Sequence, residues 1–166
     1  MATLIEAIIF DGNPVTAAVP GGMPTALLSA GLTMLPVTGE VIGRLDPGQA
    51  GDHRIPDHWM LRQPVAALAR AISHDRGVLY MVSETAGGPG TGEAIAWRHG
   101  RLVYGPSGTC DVEIDWEPGY HLAPRGDDAV NAGLRAIGVR AADGCDEYAT
   151  AGLTRHRRTD DWLRAE

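Results

Sequence analysis

The chain has no lysine. All 14 of its basic residues are arginine, set against 21 acidic side chains in 166 residues, for a net charge of -7 at pH 7. That balance excludes a chain that grips nucleic acid or an anionic membrane through a broad basic face. It fits a soluble protein and a basic partner. The missing lysine reads as the codon bias of a GC-rich bacterium rather than as a choice of guanidinium for bidentate pairing. Cysteine is scarce. Cys110 and Cys145 stand outside any CxxC pair, and two cysteines build no disulfide framework, so both are expected as reduced thiols of a cytoplasmic protein. No apolar run approaches the roughly 20 residues of a membrane-spanning helix. The first ten residues lack a basic region and contain Glu6, which argues against a secretory signal.

What is present is an ordinary apolar fraction, 44%, in a chain long enough to bury a real core. The expected organisation is one domain over residues 1–166. Its most distinctive stretch is Thr109-Cys110-Asp111-Val112-Glu113-Ile114-Asp115-Trp116-Glu117. Asp111, Glu113, Asp115 and Glu117 alternate with Cys110, Val112, Ile114 and Trp116. In a strand, side chains alternate between faces, so one face would enter the core and the other would carry four carboxylates about 7 Å apart.

Periodicity and punctuation place the other elements. Residues 4–10 are apolar and β-branched and end at Asp11-Gly12-Asn13-Pro14, which predicts a strand and a turn. Residues 15–19 read as a second short strand. Residues 26–30 read as a short helix closed by Gly31, and residues 32–37 and 40–45 as extended segments. Residues 46–58 are rich in Gly, Pro and Asp and predict a loop. Pro64 opens the clearest helix, residues 64–74, with Val65, Leu68, Ala69 and Ile72 on one stripe and Gly77 as its stop. Four strands follow, near residues 78–83, 93–98, 101–104 and 109–116, with Arg98-His99-Gly100-Arg101 as a hairpin turn. Asp127 is the expected cap of a helix over residues 128–137, and Thr159 the capped start of another turn. The fold class is therefore α+β, a mainly antiparallel sheet (a meander in the C-terminal half) with two main helices packed on it.

Motifs that carry chemistry fall short of their patterns. Gly87-Gly88-Pro89-Gly90-Thr91-Gly92-Glu93-Ala94 has the outer glycines of a phosphate-binding loop. However, Glu93 occupies the lysine position and Ala94 the hydroxyl position, so the stretch reads as a connector between strands. Asp52-His53 and Asp57-His58 supply competent metal ligands at a spacing that matches no strong zinc pattern. There is no GxSxG, and Cys145 beside Asp146 has no evident activating environment. Arg155-His156-Arg157-Arg158 reads as a solvated tail pairing with Asp160 and Asp161. No catalytic residue, cofactor or metal is expected.

Three segments of the C-terminal half carry a resemblance. They are Tyr80-Met81-Val82-Ser83-Glu84-Thr85 with Gly87-Gly88-Pro89-Gly90; Ala94-Ile95-Ala96-Trp97-Arg98-His99-Gly100; and Ala136-Ile137-Gly138-Val139, Asp146-Glu147-Tyr148 and Gly152-Leu153-Thr154-Arg155-His156-Arg157-Arg158-Thr159-Asp160-Asp161-Trp162. Over residues 78–162 the chain resembles a group of small actinobacterial proteins similar in style to toxin-immunity proteins. The resemblance implies tight, non-catalytic binding to a basic toxin, with carboxylates standing where phosphates would go. Asp111, Glu113, Asp115 and Glu117 would then form the contact face, with Trp116 and Tyr120 as aromatic anchors. Two alternatives are a small hydrolase or transferase with its site among the 46–58 loop, the 87–92 loop and the histidines, and a structural subunit of a larger assembly.

Overall fold

The computed structural model describes residues 3–14, 18–48, 54–55, 58–85, 91–109, 121–122 and 128–164. Along the chain these form β1 (Thr3–Asp11), β2 (Ala26–Leu27), β3 (Leu32–Pro36), α1 (Gly39–Leu45), α2 (Gln63–Ile72), β4 (Gly77–Thr85), β5 (Thr91–Arg98), β6 (Arg101–Thr109), β7 (His121–Leu122), α3 (Ala129–Ala136) and α4 (Glu147–Thr150). The strands make one sheet in the order β2-β3-β1-β4-β5-β6-β7. Every neighbouring pair is antiparallel except β6 and β7. The α+β class with a mainly antiparallel sheet holds.

The sheet is buried on both faces, which explains the continuous apolar run of β1. Ile8, Phe10, Val78, Tyr80, Val82, Ile95 and Trp97 face α2 and meet Val65, Leu68, Ala69 and Ile72. Ile5, Ala7, Ile9, Leu79, Met81, Ala94 and Ala96 face α3 and meet Val130 and Leu134. The two main helices thus lie on opposite faces, giving three layers. α3 approaches closely because Gly133 has no side chain. A Cβ there would stand 2.6 Å from Leu79 Cδ1 and 3.1 Å from Ala94 Cβ.

Several expectations give way. Residues 26–30 are not helical. Ala26 and Leu27 pair with Met34 and Thr33, and the chain turns through positive φ at Ala30 (58°) and Gly31 (73°). Residues 40–45 are helical rather than extended. Thr38 accepts from Val41 N, and Arg44 pairs with Glu40 one turn earlier at 2.6 Å. Together the cap and the pair outweigh the β-branched Val41 and Ile42. The cap of α3 is Asp128, accepting from Val130 N at 3.0 Å, one residue after the expected position. Thr159 caps nothing: its Oγ1 accepts from Glu6 N at 2.9 Å and donates to Leu4 O at 3.3 Å, tying the tail to β1. Arg155 does not pair with the neighbouring acids. It donates to the Gly152 and Leu27 carbonyls and lies 5.2 Å over the Trp162 ring. β4, β5 and β6 form consecutive antiparallel neighbours, as a meander requires, and β7 then adds parallel to β6. The expected strand at residues 15–19 lies largely outside the described residues, as does that at 109–116. No helix among the described residues is long and apolar enough to cross a membrane.

Candidate functional site

Two glutamates are buried on the α2 face. Glu6 of β1 is paired in register with Val82 of β4, and Val82 with Glu93 of β5. Glu6, Val82 and Glu93 therefore form one row across three strands, with the acids two strand spacings apart, about 10 Å between Cα atoms. Glu6 is 5% exposed and Glu93 fully buried. A buried carboxylate must find partners or cost several kcal/mol; Glu93 takes its partners from the segment that leads into α2, and Glu6 from β4 and from Arg62 at the start of α2.

Glu93 accepts from Trp59 N (3.3 Å) and His58 Nδ1 (3.1 Å) through Oε1, and from Met60 N (3.1 Å) through Oε2. Glu6 accepts from Tyr80 Oη at 2.9 Å and lies 3.5 Å from Arg62 Nη1. Burial pushes the Glu6 carboxyl above the usual carboxylate range. The Tyr80 hydrogen bond and the Arg62 charge oppose that rise, while the Glu93 charge adds to it. Tyr80 is itself pushed far above its ordinary value by burial and by the two glutamates. Arg54, in a bridge with Arg62, adds a second guanidinium to the field at Glu6.

His58 joins this cluster to an open recess of about 380 Å³. Its floor and walls are Ile55, Leu61, Ile95, Trp97, Leu102 and Pro106, and its α2 side is Gln63, Ala66, Ala67 and Arg70. Those four helical positions are spaced i, i+3, i+4, i+7 and so lie on one stripe. A second recess, of about 340 Å³, lies on the α3 side, where Thr3, Ser83, Asp128, Asp146, Tyr148, Thr154, His156 and Arg157 meet. Most of these belong to the segments that carried the resemblance. Burial raises the Tyr148 phenol, while its bond to Ser83 works the other way.

The structure brings His58 of the 46–58 loop onto Glu93, the residue in the lysine position of the phosphate-loop imitation. Asp111, Glu113, Asp115, Glu117, Trp116 and Tyr120 lie outside the described residues, as do Asp52, His53 and Asp57. Among the described residues no group of three or more His, Cys, Asp or Glu could hold a metal, and Cys145 is an exposed free thiol. Sequence reasoning missed Glu6, Arg62, Arg70 and Tyr80. Glu6 had carried a signal: it is the one charge inside an otherwise apolar strand.

Comparison with family models, with curated proteins and with solved structures found no match to this chain.

Proposed function

We propose that this is a non-catalytic binding protein that occludes a basic surface of a partner protein, in the manner of a toxin-immunity protein. The observation that carries the reading is the edge formed by β6. Among the described residues, its side away from β5 pairs only at Ser107 and Gly108, and Leu102 and Val103 are 53% and 49% exposed. Charged side chains are the usual protection of an edge; apolar ones suit a contact surface. Strand addition is not the expected mode. Val103 bulges between the Trp97–Leu102 and Ala96–Tyr104 pairs, and Pro106 has no N–H to donate. Contact through side chains follows, with the acidic segment beginning where β6 ends at Thr109. Carboxylates there would steer a basic partner into place.

The test uses the protein encoded by the neighbouring gene as the partner, because an immunity gene should sit beside its toxin gene. An Asp111→Asn/Glu113→Gln variant is expected to associate about tenfold more slowly at low salt, with a shallower salt dependence. Leu102→Ser is expected to speed dissociation instead. Association rate and salt slope unchanged in the double variant would remove the acidic segment from the mechanism.

One observation favours a second reading, a small hydrolase or transferase. His58 is oriented by a buried carboxylate at the mouth of a recess, the arrangement of a general base and its positioning residue.

A further inference from the structure

The recess beside His58 has a chemistry that the binding reading does not require. Glu93 already accepts two backbone N–H groups, and an ionised carboxylate can only accept. With Glu93 as an ionised acceptor, His58 Nδ1 is the donor of the 3.1 Å contact. In the neutral ring this leaves Nε2 as the acceptor, on a side chain that lines the recess. Gln63 contributes an amide and Arg70 a guanidinium from the same α2 stripe. Among the described residues no ion pair engages Arg70. Between these polar groups the walls are apolar, and Ala66 and Ala67 keep the α2 side open because their side chains are small. The volume, about 380 Å³, falls within the range of small-molecule sites.

We propose that this recess binds a small hydroxylated carboxylate with an apolar, ring-sized body. A single guanidinium presents a planar fork that matches a carboxylate with two parallel hydrogen bonds. The His58 Nε2 lone pair accepts a hydrogen bond from the hydroxyl, and Trp97, Ile95 and Leu61 cover the apolar body. The proposal does not rest on the binding reading; under the second reading it names the ligand class of the same recess.

Isothermal titration calorimetry on the full chain tests it, with 4-hydroxybenzoate as the probe and benzoate and 4-hydroxybenzamide as controls. Saturable one-to-one binding of 4-hydroxybenzoate is expected. Affinity should fall about tenfold or more when the charge is lost from either side, in 4-hydroxybenzamide or in Arg70→Gln, as for a charge-assisted hydrogen bond. It should fall severalfold with benzoate or with His58→Gln. Ala67→Leu should abolish binding by filling the recess while removing no polar group. Absence of saturable binding at millimolar probe overturns the proposal, as does affinity that is the same in wild type, Arg70→Gln and Ala67→Leu. Both of those substitutions are at exposed helical positions. The test therefore survives if His58→Gln fails to fold.

Discussion

Replacing Glu93 by glutamine tests the central claim about how the segment before α2 is held. The wild-type carboxylate accepts three N–H donors, from His58, Trp59 and Met60, at 3.1 to 3.3 Å, and is fully buried. Glutamine is nearly the same shape. It replaces one acceptor oxygen with an NH₂ group, which would face an N–H donor rather than accept from it. At least one donor then loses its partner at a fully buried side chain, and the surviving bonds lose their charge assistance. A hydrogen bond to a charged group contributes about 1.5–3 kcal/mol, and a stranded buried donor costs about 1–3 kcal/mol. The expected loss of stability is therefore about 3–5 kcal/mol, the range seen when one member of a buried pair is removed. For a chain of this size that corresponds to a drop of about 6–20 °C in Tm. Denaturant melts give the first figure and calorimetry the second. Hydrogen exchange should show the Trp59 and Met60 amides losing protection more than those of β4. A His58→Gln/Glu93→Gln double-mutant cycle should report a coupling above about 0.5 kcal/mol. A loss under about 1 kcal/mol with unchanged Trp59 and Met60 exchange would refute the tether.

Two further predictions concern the sheet. Glu6 has a raised carboxyl pKa in the fold relative to 4.5, so its contribution to stability is full below about that pH and is lost as pH rises through the raised value. Stability of wild type relative to Glu6→Gln should therefore decline as pH climbs above about 4.5 and level off once the raised value is passed, read from denaturant melts at each pH; parallel curves would contradict the burial argument. At Gly105, φ is +79°, and a Cβ would collide with the Ala94 carbonyl oxygen and stand 3.0 Å from Ser107 N. Left-handed strain of about 1–2 kcal/mol and overpacking of about 1–3 kcal/mol predict that Gly105→Ala loses about 2–5 kcal/mol in urea denaturation, and a loss under about 1 kcal/mol would show that the β5–β6 register is softer than the geometry implies.

The elements legible in the sequence were those whose signals are local and uncontested. β1, β4 and β5 announce themselves as apolar runs, α2 by Pro64 and its stripe, and the 98–101 turn by a residue pair suited to positive φ, where His99 has φ 53° and Gly100 70°. The misread elements are those where a pairing or a cap overrides composition. Ala26 and Leu27 are good helix residues drawn into a sheet by β3. Val41 and Ile42 are strand formers held in α1 by Thr38 and the Glu40–Arg44 pair. The buried polar cluster was illegible for a different reason. Its members are separated by up to 87 positions between Glu6 and Glu93, and only the β1–β4–β5 register brings them onto one row.

That row has a consequence for the recess. The sheet offers two carboxylates on its α2 face, and neither is satisfied by the sheet's own backbone. Glu6 takes Tyr80 and Arg62, while Glu93 takes His58 and the amides of Trp59 and Met60. Both acids thus draw the segment preceding α2 onto the sheet, and this sets the height of His58 and Leu61 above Ile95 and Trp97. The recess is then shaped by two buried carboxyl groups as well as by apolar packing. A ligand that needs His58 in place binds only the form in which Glu93 is engaged. By mass action it stabilises that form by RT ln(1 + [L]/Kd), about 2.7 kcal/mol at a hundredfold excess over Kd. A bound carboxylate should consequently raise the Tm of wild type. In Glu93→Gln, part of the same binding energy is spent in re-forming the 58–60 segment, so the apparent affinity falls by the fraction of molecules in the competent form.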